Sequence, residues 1–450
     1  MTIIRQPSLF SIQELYDMEP TQKYDAIISA IEMDAMDAIY YEVSKKSRLG
    51  APAELNYAAM IISIFIRYVE RIPTIKDLIK RLKNDIAFKL NCGFLVSDDI
   101  PSEASYSRLL SKLSESNILE EVQEKLILQA ITEGYIIDET IAIDATHFEA
   151  RDQAPPKKEK TKPEPKKRGR KPRDEREQWL KEQAEKEANL PIYEKKIEAQ
   201  LDISLTELRA EVPQDPKWGV KKNSEGKNEF WFGYKGHLAV GASSQYILQS
   251  LFSSGNLNDG KAAIPLLKGM DQLPLSNIRY QTMDAGYDYE AVYEQVYRME
   301  QRSVIAYNER NEREPIGFDK HFAPTCFREH SYRYDSYDAK YETLKYTSPK
   351  ECPLAAEGIC QKVFKMKITN NLRRYTAPAR GSNAWKKVYN LRTAVERVNA
   401  YLKEFFQLNN VRYQTGKRAK VHFDIVTLIY NASKLATDRI SKQMYEEQAA

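Results

Sequence analysis

A stripe of polar side chains near the end of the chain suits the binding of a cation beside a phosphate group: Tyr389, Arg392, Glu396 and Lys403. Adjacent helical residues point about 100° apart, so this spacing places the stripe along one edge of a helix. The carboxylate would bind the cation, and the phenol, guanidinium and ammonium groups would surround it. An Arg–Glu pair four residues apart is also common on ordinary surface helices, where it contributes little. The stripe therefore indicates a function only if other residues join it.

The helix that positions this stripe is predicted over residues 386–406. Its apolar side chains recur at steps of three and four and form one seam: Val388, Leu391, Val395, Val398, Leu402 and Phe405. The polar stripe lies one residue further along, so it is expected at the edge of the buried face.

Two aspartates follow apolar, strand-like runs earlier in the chain. Asp144 comes after residues 135–143, and Asp284 comes after residues 278–283. A single Asp at a strand end is usually a turn or capping residue, but His147 follows Asp144 closely and makes that strand end polar. Asp288 is the alternative to Asp284 as the second functional acid, and Asp284 is favoured because it follows its strand directly.

The predicted elements run strand, strand, strand, helix, strand, helix, strand, helix, helix once two insertions are removed. This is the order of an RNase H-like domain, and it predicts an α/β fold. Acids at the carboxyl ends of neighbouring strands converge, so Asp144, Asp284 and Glu396 are expected to meet. Three carboxylates at one point repel one another unless cations neutralise them. Oxygen ligands favour Mg²⁺ or Mn²⁺ over zinc.

These residues resemble the DDE transposases of bacterial insertion sequences, in the branch with the signature Y-x-x-R-x-x-x-E-x-x-x-x-x-x-K. Tyr389, Arg392, Glu396 and Lys403 keep every spacing of that signature. The segments FGYKGHLAV (232–240), MDAGYD (283–288) and NLRTAVERVNAYLKEFFQL (390–408) are also similar to the family. The amino-terminal segments RIPTIKDLIKRL (71–82) and PSEASYSRLLSKL (101–113) resemble its helical domain.

The resemblance implies metal-dependent DNA cleavage at element ends followed by strand transfer into target DNA. Asp144, Asp284 and Glu396 would bind the Mg²⁺ or Mn²⁺ ions, and Tyr389, Arg392 and Lys403 would contact DNA phosphates. It also implies a homodimer that pairs two DNA ends in a synaptic complex. A transposase-derived DNA-binding protein without activity and a nuclease that cuts without joining are the alternatives.

The chain is expected to divide into a helical amino-terminal domain, an RNase H-like core and two insertions. The ranges are 1–137 for the helical DNA-binding domain, 138–150 and 230–307 for the first part of the core, 151–229 and 308–387 for the insertions, and 388–450 for the last core helices. In the first domain, Tyr106, Arg108 and Lys112 are expected either to face DNA from the second helix of a helix-turn-helix or to lie on a solvated face. The second insertion has short strand-like runs such as ETLKYTS (342–348).

The first insertion begins with a proline-rich basic segment that cannot form a packed core. Residues 157–173 contain ten Lys or Arg and two Glu, a balance of +8 in a chain whose net charge is +4. Its KRGRKP sequence, with Arg168 and Arg170, resembles an AT-hook that binds the minor groove of A·T-rich DNA. A solvated linker is the other interpretation of this segment.

Composition indicates a soluble protein of two or three domains. The longest apolar run, residues 58–66, is far shorter than the ~20 residues that span a bilayer, and the first ten residues do not resemble a secretory signal. Four cysteines among 450 residues indicate no disulfide framework. These features suit a reducing cytoplasm, and the resemblance implies a bacterial protein associated with the nucleoid. Cys326, Cys352 and Cys360 fit no strong zinc pattern, so buried thiols are the default and zinc the alternative.

Overall fold

The computed structural model describes residues 22–31, 33–44, 55–156, 172–222, 225–310, 312, 315–349 and 358–449. In these ranges the protein is a mixed α/β structure. A helical amino-terminal part of the chain is followed by a mixed sheet. None of their helices is both long enough and apolar enough to cross a membrane. Arg168, Arg170 and Cys352 lie outside the described residues, so the hypotheses about them stay predictions.

The described residues before the first strand form helices, as predicted. Their bounds are α1 (Gln22–Ala30), α2 (Met33–Ser44), α3 (Tyr57–Val69), α4 (Ile75–Asn84), α5 (Ile86–Asn91), α6 (Glu103–Leu113) and α7 (Ile118–Thr132). Side-chain caps begin four of them, because Asn56, Thr74, Asp85 and Ser102 each accept a hydrogen bond from the backbone N–H three residues later.

Both alternatives for Tyr106, facing DNA and lying on a solvated face, are wrong. Tyr106 lies fully buried on α6, and its hydroxyl is 2.8 Å from Ser63 Oγ. Arg108 is exposed, and Lys112 is half-buried with its ammonium 5.3 Å from the centre of the Tyr57 ring. Tyrosine combines an apolar ring with a polar tip, so it fits a core position wherever its hydroxyl finds a partner.

In the described part of the chain, six strands form the main sheet. They are β1 (Thr140–Glu149), β2 (Lys217–Lys222), β3 (Asn228–Gly241), β4 (Ile247–Ser254), β5 (Tyr280–Met283) and β6 (Arg302–Ile305). β1 is antiparallel to β3 on one side and parallel to β5 on the other, and β6 is parallel to β5. β2 and β4 both pair with the other edge of the long strand β3. The predicted strand that ends at Asp144 in fact continues to Glu149, because β1 stays paired with β3.

Within its described residues, the first insertion contributes two α-helices and one strand of the main sheet. Its helices are α8 (Arg173–Ala188) and α9 (Leu205–Ala210). α8 is polar on all sides and exposed, whereas Tyr193 and Leu208 are buried in the same apolar core as the sheet. β2 also falls within the predicted insertion 151–229, yet it pairs with β3 as part of the main sheet.

Helices from the second half of the chain pack on the sheet. They are α10 (Asp259–Asp271), α11 (Glu290–Arg298), α12 (Asn383–Asn390), α13 (Thr393–Phe405) and α14 (Gly416–Ala449). Phe148 of β1 stacks on Phe423 of α14 with ring centres 6.2 Å apart. A Cβ on Gly236 of β3 would lie 2.4 Å from the Phe423 ring, so this position needs glycine. One continuous apolar core therefore joins the amino-terminal helices, the sheet and α14.

The single helix predicted over residues 386–406 is wrong. The chain forms α12 and α13 instead, with Leu391 and Arg392 in a turn between them. The N–H groups of Arg392 and Ala394 donate to the carbonyls three residues before them, which tightens the chain. Leu391, predicted to be in the apolar seam, is 44% exposed. Tyr389 and Glu396 consequently lie on different helices.

The second insertion contains a small antiparallel sheet. Its strands are β7 (Arg333–Asp338), β8 (Thr343–Thr347) and β9 (Val363–Lys367). β8 confirms the strand-like character of ETLKYTS. Leu344, Tyr346 and Cys326 belong to a separate small core under this sheet, and Cys360 packs against it. The zinc alternative stays a prediction.

Candidate active site

Strand register brings Asp144 and Asp284 to the same level of the sheet. The parallel pairing of β1 with β5 has Ala142 opposite Thr282 as its last pair. Asp144 and Asp284 each lie two residues beyond that pair, at the point where the two strands separate. Neighbouring strands are about 4.8 Å apart, so the two carboxylates emerge side by side.

The pKa values of both aspartates are raised by burial and by neighbouring negative charge. Burial and the negative charge of Asp284 raise the pKa of Asp144 to about 7, while Arg392 opposes the shift. The pKa of Asp284 is also raised, mainly by burial and further by Asp259 and Glu396. The N–H of Gly286 donates to Asp284 Oδ1 at 2.8 Å and fixes the orientation of that carboxylate. The site therefore concentrates negative charge that a bound cation would stabilise.

Glu396 faces the aspartates from α13 but is paired with Arg392. Arg392 Nη2 lies 2.8 Å from Glu396 Oε1, and the Glu396 side chain is 46% exposed. Glu396 contributes to the raised pKa of Asp284, and Arg392 lowers the pKa of both aspartates. The guanidinium thus provides the nearby positive charge in this arrangement.

The donor chemistry of the three acids fits Mg²⁺ or Mn²⁺, because all three are carboxylates. Burial raises the pKa of the two aspartates, and a divalent cation would stabilise their charged forms. Within the described ranges, however, no group of three or more His, Cys, Asp or Glu side chains is already arranged to hold a metal ion. Glu396 is held by Arg392, and its long, half-exposed side chain can change rotamer.

The other signature residues surround the acids. Tyr389 is half-buried on α12 and stacks on Trp385, with ring centres 4.6 Å apart. Lys403 is half-buried on α13, and burial together with the charge of Lys221 lowers its pKa while Asp144 raises it. Lys403 is thus a cation close to both Asp144 and another cation.

Asp288 has a different environment from Asp284. Its buried carboxylate accepts from Arg373 Nη2 at 2.8 Å, from the Tyr293 hydroxyl at 2.8 Å and from the Asn308 N–H at 2.9 Å. Two of these donors, Arg373 and Asn308, belong to the second insertion. The three hydrogen bonds account for the buried carboxylate of Asp288 without a metal ion.

Sequence reasoning missed Asp259 as part of this site. Asn258 caps α10, and Asp259 is the first helical residue. Asp259 Oδ1 lies 2.7 Å from Lys235 Nζ and 3.9 Å from Nδ1 of the buried His237, whose pKa burial lowers to about 4. An acid beside a capping residue, in the loop after β4, was the only available signal.

Tyr287 is a second residue that the sequence did not single out. Its ring is 1% exposed, and its hydroxyl makes no hydrogen bond to any described residue. Burial raises its pKa well above the usual value, and the charges of Asp259, Asp144 and Asp284 raise it further. The phenol therefore remains a neutral donor near the acids.

Two transposase families match this chain. The family described as "Transposase DDE domain" matches residues 206–432, half of the chain, and "Transposase domain (DUF772)" matches residues 13–112. The chain belongs to the DDE transposase family. No curated protein matches it.

The matched DDE domain of this transposase contains Asp284 and Glu396 but begins after Asp144. Asp144 is therefore linked to the domain by structure, through the pairing of β1 with β3 and β5. The second match covers most of the amino-terminal helices, which assigns them to a transposase domain too.

Proposed function

We propose that the protein catalyses metal-dependent DNA cleavage at insertion-sequence ends and strand transfer into target DNA. Asp144, Asp284 and Glu396 would be its catalytic carboxylates, with Mg²⁺ or Mn²⁺ as cofactor. The strand order β4-β3-β1-β5-β6, with β5 and β6 parallel to β1, supports an RNase H-like core. The protein would act as a homodimer on two paired DNA ends in the bacterial cytoplasm.

The observation that carries this proposal is the pair of level aspartates, Asp144 and Asp284. Asp284 accepts the Gly286 N–H, and the buried Asp288 is satisfied by Arg373. Asp144 instead has a pKa raised to about 7 by burial and by its neighbour. Burying two acids together lowers folding stability, and DNA binding alone does not require such a pair.

Each residue has a distinct part in the proposed reaction. When bound, a pair of divalent cations activates the attacking water or 3′-hydroxyl and stabilises the leaving oxygen. Asp284 is already oriented by the Gly286 N–H. Arg392 is paired with Glu396, and its guanidinium would become available to a phosphate when Glu396 turns away. Tyr389 and Lys403 lie near the aspartates and would contact the DNA backbone.

The test is cleavage and joining of DNA that carries the element's own ends, with Mg²⁺ and the full chain. Asp144→Asn, Asp284→Asn and Glu396→Gln should each abolish both reactions and leave DNA binding intact. Glu404→Gln, an exposed acid on the same helix as Glu396, is the matched control and should remain active. Cleavage without joining would identify a nuclease instead, and DNA binding without cleavage by the wild type would identify an inactive relative.

A further inference from the structure

The hairpin of β2 and β3 presents an aromatic face to solvent beside the candidate active site. Trp218 pairs with Phe232 across the hairpin, and Val220 pairs with Phe230. Cross-strand partners point to the same side of a sheet, so these four side chains share one face. Trp218 and Val220 are 55% exposed and Phe230 is 66% exposed. Such exposure is unusual for three large apolar side chains in one patch.

The opposite face fixes the hairpin to the strand that carries Asp144. Trp231 points to that side and is only 6% exposed. Its ring lies over Gly219, where a Cβ would approach to 2.2 Å, and it packs against His147 with ring centres 4.6 Å apart. His147 follows Asp144 by three residues on β1. The exposed face therefore has a fixed position relative to the acids.

Positive charge lies between the hairpin and Asp144. Lys221 of β2 and Lys403 of α13 are close enough that Lys221, after burial, lowers the pKa of Lys403. Burial and these same two ammonium groups lower the pKa of His147 to about 4, so His147 stays neutral. Glu229, 3.4 Å from Lys221, offsets part of this charge. Two repelling ammonium groups favour a polyanion such as a DNA backbone.

We propose that the aromatic face of the β2–β3 hairpin binds unpaired bases of a DNA strand whose phosphates contact Lys403 and Lys221. Lys221 and its cross-strand partner Glu229 lie on the Trp231 side of the hairpin, so the phosphates would reach Lys221 around the edge of β2. Exposed aromatic rings stack on bases whatever their sequence, whereas the bases of a duplex are already stacked on one another. A second copy of the chain is a poorer occupant, because a stable interface buries about 800 Å² on each partner, far more than three side chains present. The inference rests on the proposed function, because it supplies a frayed or opened DNA end to the acids.

The test measures DNA affinity of the full chain by fluorescence anisotropy in EDTA, so that no cleavage occurs. One probe carries several unpaired nucleotides at the element end, and the other is the same sequence fully paired. Trp218→Ala and Phe230→Ala should each weaken binding of the unpaired probe roughly tenfold and leave duplex binding within about twofold. Trp218→Phe keeps a ring and should retain most of the affinity. Tyr445→Ala, which removes an exposed aromatic on α14, is the control and should bind both probes as the wild type does.

Equal losses on the two probes, or no loss on either, would overturn the hairpin proposal. Lys221→Ala should weaken both probes and reduce the slope of log affinity against log salt by about one. The outcomes separate from those of the proposed function because binding is measured without metal. A wild type that prefers the unpaired probe through Trp218 but never cleaves would support the hairpin and refute the enzyme.

Discussion

Replacing Asp144 by asparagine is expected to stabilise the metal-free protein at neutral pH. Burial and Asp284 raise the pKa of Asp144 from 3.8 to about 7. The folded protein thus keeps a proton that the unfolded chain releases, and its stability falls as pH rises from about 4 to 7. Each pKa unit corresponds to about 1.4 kcal/mol, which gives about 2–3 kcal/mol between pH 5 and pH 8. Asparagine does not titrate and avoids this loss.

The assay is urea unfolding of both proteins in EDTA at several pH values from 5 to 8. His147, His237 and His422 have pKa values lowered to about 4 by burial. They make stability rise with pH over the same window, because the unfolded chain binds their protons more readily. Both proteins contain these histidines, so the difference between variant and wild type isolates Asp144. That difference should grow with pH and level off above about 7.

Asp288→Asn provides the contrast. Asp288 is fully buried against Arg373 at 2.8 Å, and breaking such a pair costs about 3–5 kcal/mol. This variant should be less stable than the wild type at every pH tested. The reasoning about Asp144 is refuted if Asp144→Asn lowers stability at pH 8, or if its effect is the same at pH 5 and pH 8.

Three further substitutions test other parts of the structure. Tyr106→Phe removes a buried hydrogen bond and should lower the free energy of unfolding by about 1 kcal/mol without changing DNA affinity. A large loss of affinity would instead show that Tyr106 contacts DNA. Gly236→Ala places a Cβ 2.4 Å from the Phe423 ring and should cost about 1–3 kcal/mol in urea unfolding, whereas wild-type stability would contradict the packing described. Asp259→Asn removes a negative charge that raises the pKa of Asp144. In an Asp259→Asn background, the stability difference caused by Asp144→Asn should therefore level off at a lower pH. If it levels off at the same pH, Asp259 is too far from Asp144 to affect its pKa.

The order of strands and the place of the two aspartates were predictable because their signals are local. Apolar runs that end in an acid mark where a core strand reaches a polar site, and Asp144 and Asp284 both follow such runs. Parallel pairing of β1 and β5 then brings them level. The extension of β1 to Glu149 was not predictable, since it depends on pairing with a long neighbouring strand.

The errors arose where distant contacts decide local structure. The spacing through Leu391 fits one continuous helix as well as two. In the structure α12 packs on β5 and β6, whereas α13 packs on β1 and β3. β2 has the sequence KWGVKK, and its lysines and glycine are not typical of a strand. Its strand structure depends on pairing with β3. Asp259 joins the site through Lys235, 24 residues away, and no local pattern connects the two.

The most direct test of the central claim is anomalous scattering from Mn²⁺ in crystals of the full chain with its end DNA. Mn²⁺ is expected to bind Asp144 and Asp284, and the Glu396 carboxylate is expected to turn away from Arg392 towards the ion. Mn²⁺ bound elsewhere, with these three carboxylates free of metal, would contradict it.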